Sequence, residues 1–219
     1  TCDMRHATCD MQHAASPSSR TLDLALESDN LFMAHILSLR GGVAGAGGLG
    51  AVFMPMYAWV GLWTSAKVEQ PYDLVVQSAG GYPLDESFYQ TVKGMVTALP
   101  ALHEGSTLLI CSACTEVGSP EYTELMMQQG SDYLGFLDRI REAEATAKDQ
   151  WQFQMQTRVL ERIGVSGLVM ANDGLPIDVQ RRLAVTPAVG EGDAPERAQQ
   201  VIDAYVANHP QARVAIIPD

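Results

Sequence analysis

The sequence predicts an α/β fold: a layered domain with a largely parallel sheet flanked by helices and assembled from βαβ units. Apolar strand-like runs alternate with amphipathic helical stretches between residues 72 and 217. Within that span a run at 72–77 (YDLVVQ), a glycine pair (Gly80, Gly81), a helical stretch and a second run at 107–111 (TLLIC) follow one another. Strand, tight turn, helix, strand is the order that a parallel pair with a crossover requires. The third observation is compositional: 219 residues with 47% hydrophobic content are enough to bury a substantial core.

Taken in order, residues 1–20 read as an irregular or disordered segment, and residues 21–219 as the α/β domain. The first fourteen residues are a near duplication, TCDMRHA and TCDMQHA, followed by a Ser/Pro stretch at 16–19 that reads as linker. Cys2, His6, Cys9 and His13 carry zinc-ligand chemistry. On one helix, however, they would span about 16 Å at 1.5 Å per residue, too far to converge on one ion. Residues 20–40 are rich in apolar side chains and end at Gly41 and Gly42, with His35 packed among them. Gly45, Gly47 and Gly50 satisfy G-x-G-x-x-G, and Glu69 stands near the distance of a ribose-binding acid. The run before these glycines is itself broken by glycine, and Pro55 interrupts the helix that should follow, so a flexible loop before a short apolar helix is the better reading.

The run at 72–77 is the first strand, and Gly80 and Gly81 let the backbone turn and approach a ligand without a Cβ in the way. Pro83, Asp85 and Glu86 suit a helix entry, with Asp85 the expected N-cap. At about 100° per residue, Phe88, Val92, Met95 and Leu99 share one arc, and Tyr89, Gln90, Lys93 and Thr97 share another. The first arc is core. The second puts a phenol, an amide and an ammonium within a turn and a half of a helix N-terminus, a cradle for a small carboxylate or another anion. A plain amphipathic helix with a solvated face is the competing reading.

The strand at 107–111 delivers Cys111 and Cys114 as CSAC. No second pair with zinc spacing follows, so the two read as a buried thiol and a loop thiol. Ser119, Pro120 and Glu121 form a helix start; Tyr122, Leu125 and Met126 give that helix its apolar face. A helix over 133–147 carries Leu134, Leu137 and Ile140 at core spacing, and another opens at Asp149, Gln150 and Trp151, with Met155, Val159 and Ile163 turned inward. A short strand at 167–170, a short helix at 176–183 and a return segment at 184–189 come next. Asp193 with Glu196 forms a reciprocal cap for a helix to about residue 207, and 212–217 (ARVAII) is the last strand.

The formal net charge of −12 opposes binding to nucleic acid or to an anionic membrane surface. The most apolar window, 49–63, is shorter than the roughly 20 residues that span a bilayer. No secretory leader is legible, and four cysteines fit a reducing cytoplasm better than a disulfide framework.

At residues 78–95, SAGGYPLDESFYQTVKGM, the sequence resembles the nickel-pincer lactate racemase family of 2-hydroxy-acid racemases and epimerases, in its carboxyl-terminal lobe. The likeness runs through GGYPLD and YQ-x-x-KG, the sequel Cys114, Glu116, Gly118 and Ser119, and the DQW at 149–151, covering about 72–219. It implies a two-lobed enzyme with a nickel-pincer nucleotide, in which hydride leaves the hydroxyl-bearing carbon of a small 2-hydroxy carboxylate and returns to either face. It also implies that Tyr89, Gln90 and Lys93 line the substrate site, with Trp151 as an aromatic wall. The family's cofactor-tethering lysine, nickel histidine and paired acid/base histidines have no counterpart in the context of His6, His13, His35, His103 or His209. The expectation is therefore a substrate-binding half whose catalytic and metal-binding residues lie in a separate cofactor-binding lobe. The chain alone is expected to be inactive. Two other functions stand beside this one: a non-catalytic α/β domain that binds a small anion or a partner, and a nicotinamide-dependent oxidoreductase built on the glycines at 45–50.

Overall fold

The structure is a computed structural model and describes residues 68–218. The Cys/His duplication, the glycine-rich loop at Gly45, Gly47 and Gly50, the runs at 20–40 and the apolar window at 49–63 lie outside the described residues.

Five strands form one all-parallel sheet: β1 (Tyr72–Ser78), β2 (Leu102–Cys111), β3 (Leu168–Ala171), β4 (Thr186–Pro187) and β5 (Val214–Ile217), in the order β4-β3-β2-β1-β5. The expected α/β fold is observed. Helix α1 (Phe88–Ala98) crosses from β1 to β2. Helices α2 (Pro120–Gln129), α3 (Tyr133–Glu142) and α4 (Gln150–Gly167) lie between β2 and β3. Helix α5 (Ile177–Arg182) leads to β4, and α6 (Ala194–Asn208) leads to β5.

Burial follows from strand alternation. Leu74, Val76, Leu109 and Ala171 point to one face, where Ala198, Val201 and Ile202 of α6 close over them. Val75, Leu108 and Ile110 point to the other, and Gly94 of α1 lies so close to the Ile110 side chain and the Ser78 carbonyl that a Cβ there would crowd both. Phe88, Val92 and Met95 are fully buried, as their shared arc predicts.

Two of the boundaries that differ from the sequence reading have a physical cause in the structure. β2 starts at Leu102, five residues before the expected 107, because its register against β1 shifts between Tyr72 and Leu74. Gly105 takes a positive φ of 86° in that stretch, and the polar residues at 103–106 hide the strand from an apolar count. At this edge Ser106 Oγ donates to the Tyr72 carbonyl at 2.7 Å, and Asp73 accepts from Arg213 N–H at 2.7 Å with His103 Nε2 at 3.1 Å. Helix α3 stops at Glu142 rather than 147. Residues 143–148 are all exposed, so no burial supports another turn. Within α4, Gly164 leaves helical geometry (φ 69°, ψ 173°), so the regular helix ends at Ile163. By contrast, α6 begins with the expected reciprocal cap: Asp193 Oδ1 accepts from Glu196 N–H at 3.0 Å, and Glu196 Oε2 from Asp193 N–H at 3.1 Å.

Candidate functional site

The carboxyl ends of β1, β2 and β3 present three loops, at 79–87, 112–119 and 172–176. In open parallel sheets this edge is where ligands sit. Gly80 and Gly81 take positive φ values of 95° and 61°, a consecutive left-handed pair that residues with a Cβ rarely adopt, and the chain turns there into α1.

Asp85 does not cap α1, contrary to the expectation from sequence. The position before the helix is Ser87, which makes no side-chain cap. Asp85 is buried instead and its Oδ2 accepts from Ala113 N–H at 3.0 Å, tying the first loop to the second. The α1 amides are satisfied by main chain: Phe88 N–H donates to the Glu116 carbonyl and Tyr89 N–H to that of Val117, both at 2.9 Å. Gln90 and Thr91 N–H both reach the Ser87 carbonyl at 3.1 Å. The free N–H groups that make a helix start an anion site are therefore occupied. An anion at α1 must be held by side chains.

Those side chains are arranged on one face. Tyr89 and Gln90 are half-buried and Lys93 is exposed. Tyr89 and Lys93 are four residues apart and Gln90 and Lys93 three, so each pair spans one turn. Lys93 takes part in no salt bridge among the described residues. Trp151, at the start of α4 and 48% exposed, stands edge-on to Tyr89 with ring centroids 5.8 Å apart and planes at 90°. The structure thus joins Trp151 to Tyr89 across 62 residues of sequence.

Sequence reasoning missed what holds this pair. Tyr122 is fully buried and also meets Tyr89 edge-on, with ring centroids 5.1 Å apart and planes at 85°. Gly118 makes room for both: a Cβ there would lie 3.0 Å from Tyr122 Cδ1 and 3.1 Å from Tyr89 Cβ. The Gln152 side-chain amide donates to the Tyr89 carbonyl. Asp149 takes a left-handed φ of 60° immediately before α4, and its Oδ2 accepts from Ser119 Oγ at 2.8 Å, fixing the start of α4 against that of α2. Burial, with the Asp149 carboxylate adding to it, pushes the Tyr89 phenol above its usual range, while the Trp151 indole pulls it back. The phenol is therefore a neutral hydrogen-bonding group at ordinary pH.

Cys114 is fully buried, accepting at Sγ from Asn172 Nδ2 at 3.5 Å, and Cys111 is partly exposed; both are free thiols. Burial pushes the Cys111 thiol up to about 11 and raises that of Cys114 as well, which suits packed thiols rather than nucleophiles. Among the described residues no three His, Cys, Asp or Glu side chains gather in a way that could hold a metal ion. His103 lies at the amino-terminal edge of the sheet and His209 just beyond α6. No described helix is long and apolar enough to cross a membrane.

Fold and site together define an α/β domain that presents an aromatic, amide and ammonium face at the carboxyl edge of a parallel sheet. That class can be narrowed to a family. Residues 67–219 match the family model of the lactate racemase C-terminal domain, and the chain belongs to that family. It is 28% identical over 152 residues to a lactate racemase of Thermoanaerobacterium thermosaccharolyticum, a match covering 68% of this chain and 34% of the relative. A lactate racemase of Lactiplantibacillus plantarum is 28% identical over 149 residues, covering 67% and 33% respectively. The chain thus spans about a third of the length of the curated relatives it matches. Among solved structures, the lactate racemase apoprotein from T. thermosaccharolyticum has the same fold, with a TM-score of 0.61 at 24% identity over 75% of this chain and 38% of that one.

Proposed function

We propose that this chain supplies the substrate-binding face of a 2-hydroxy-acid racemase or epimerase of the lactate racemase type. The observation that carries the reading is Lys93, exposed and without an ion pair among the described residues, on one helix face with Tyr89 and Gln90 inside the family-matched segment. In this reading the Lys93 ammonium pairs with the carboxylate of a small 2-hydroxy acid. Tyr89 and Gln90 orient it by hydrogen bonds, and Trp151 walls one side. Gly80 and Gly81 supply the turn that sets α1 in place and leave room for a ligand to approach.

The resemblance implies that a nickel-pincer nucleotide removes and returns the hydride in such enzymes. The described residues offer no ligand set for nickel, so the role assigned to this chain is confined to binding and orientation. The cofactor and the acid/base groups belong, in this proposal, to a separate cofactor-binding lobe. The cytoplasmic location expected from the sequence goes with the same reading and is supported by the two free thiols, Cys111 and Cys114.

The test is a titration of the chain with L-lactate followed by amide and side-chain NMR. Resonances of Tyr89, Gln90, Lys93 and Trp151 are expected to move together. A charge-assisted contact of about 1.5–3 kcal/mol predicts that Lys93→Ala weakens binding roughly tenfold or more. If lactate moves none of these resonances, or if Lys93→Ala binds it as well as the parent, the reading fails. Binding of inorganic phosphate or acetate with equal strength would favour a general small-anion domain instead.

A further inference from the structure

We propose that Asn172, on the loop after β3, is a positioning residue for the substrate-facing helix α1, although it touches no side chain of the candidate site. The inference deepens the proposed function and rests on it for its meaning, but its structural content stands on separate contacts.

Asn172 is 3% exposed, and its carboxamide is fully used. Nδ2 donates to the carbonyls of Ser112 and Cys114, each at 2.9 Å, and Oδ1 accepts from Leu175 N–H at 2.7 Å. A carboxamide has two donor hydrogens and one carbonyl oxygen, so no other side chain of this size could clamp two carbonyls and also close its own turn. The main chain beside it is equally constrained. A Cβ on Gly174 would run into the Cys114 carbonyl, and the Asn172 carbonyl accepts from Arg197 Nη2 at 3.0 Å. Asn172 is thus fixed to the sheet and to α6 on one side and grips the loop after β2 on the other.

From that grip two paths lead to α1. The short one passes through Ser112, whose Oγ hydrogen-bonds Thr91 Oγ1 of α1 at 2.7 Å. The longer one follows the loop through Cys114 to Glu116 and Val117, whose carbonyls accept the first two amides of α1. Tyr89 is one of those two residues. An isolated helix start without these acceptors would leave two buried-side donors unpaired, which is the cost that keeps the loop and helix in register. The donor half of the Asn172 carboxamide therefore sets where the Tyr89 to Lys93 face sits.

Asn172→Asp isolates this function, because it keeps the acceptor for Leu175 and replaces the two donors with a second acceptor facing the Ser112 and Cys114 carbonyls. Hydrogen exchange of the Phe88 and Tyr89 amides is measured relative to Leu109 and Ile110 in central β2. The expected result is a rise in this ratio on the order of tenfold, the size of one lost hydrogen bond. Val201→Ala, on the opposite face of the sheet, is the control for general loss of stability and should leave the ratio unchanged. An unchanged ratio in Asn172→Asp, or an equal rise in the control, overturns the proposal. Should Asn172→Asp fail to fold, the parent chain decides. The Asn172 side-chain amide protons and the Phe88 and Tyr89 amides must then exchange with the same denaturant dependence, and different dependences overturn it. L-lactate affinity, measured alongside, should fall on the order of tenfold in the folded variant. If the parent binds no L-lactate, the substrate reading falls while the exchange ratio still decides the role of Asn172.

Discussion

Gly118→Ala attacks the candidate site from beneath without replacing any side chain proposed to meet substrate. Two effects combine. Gly118 has a φ of 149°, in the region where a side chain is strained, which costs about 1–3 kcal/mol. The new methyl would also stand 3.0 Å from Tyr122 Cδ1 and 3.1 Å from Tyr89 Cβ. Tyr122 is fully buried with no free space beside it, and Tyr89 is held by the hydrogen bond its backbone N–H donates to the Val117 carbonyl, so relief requires displacing a ring or the start of α1. Overpacking of this kind costs about 1–3 kcal/mol. The sum is about 2–6 kcal/mol, and urea unfolding reads it as a shift in midpoint at constant slope. Gly105→Ala separates the two effects, since Gly105 also has a positive φ (86°) but nothing within 4 Å of the place a Cβ would occupy. It should lose only the strain, about 1–2 kcal/mol. If Gly118→Ala loses no more than Gly105→Ala, the packing of Tyr89 on Tyr122 across Gly118 is not what holds the site.

Other perturbations follow from single contacts. The Tyr122 hydroxyl is buried and finds no hydrogen-bond partner among the described residues, so Tyr122→Phe should hold or raise stability by about 1 kcal/mol in urea unfolding; a loss above that size would show that the hydroxyl is satisfied in solution. Arg197 reaches the Ala188, Gly192 and Asn172 carbonyls and the Asp173 carboxylate at 2.6–3.0 Å, and Arg197→Lys should fail to restore the thermal stability lost in Arg197→Ala, because an ammonium cannot reproduce the fork. The Arg213 N–H, with His103 beside it and burial opposing, holds the Asp73 carboxyl below its ordinary value of 3.8. Its stabilising effect is therefore complete above that value and lost as pH falls through the lower folded value. Asp73→Asn should be less stable at neutral pH, with the two stability curves converging under acid; parallel curves would refute the assignment.

What was legible in the sequence is what depends on neighbours in the chain. The glycine turn, the core arc of α1 and the Asp193 and Glu196 cap are all set by residues within a few positions of one another, where periodicity and capping chemistry apply directly. The grouping of Tyr89, Gln90 and Lys93 on one face was legible for the same reason. Asp85 shows the limit: its composition and place suit an N-cap, yet its carboxylate goes to Ala113, 28 residues on, because folding brought a second loop within reach. Ser119 with Asp149, Gln152 with Tyr89, and Asn172 with Ser112 are pairings of the same kind, separated by 30, 63 and 60 residues. No local pattern marks them. The early start of β2 was hidden differently, by a polar, glycine-containing stretch that pairs through its main chain and so leaves no apolar signature.

That the loop after β2 meets α1 through carbonyl oxygens has a consequence for how the sequence can change. Glu116 and Val117 act on the helix through main-chain atoms that every residue possesses, and Ala113, Thr115 and Glu116 carry exposed side chains. These exposed positions can therefore be rewritten without disturbing the scaffold. Side chains on this rim can change while the helix beneath stays where it is.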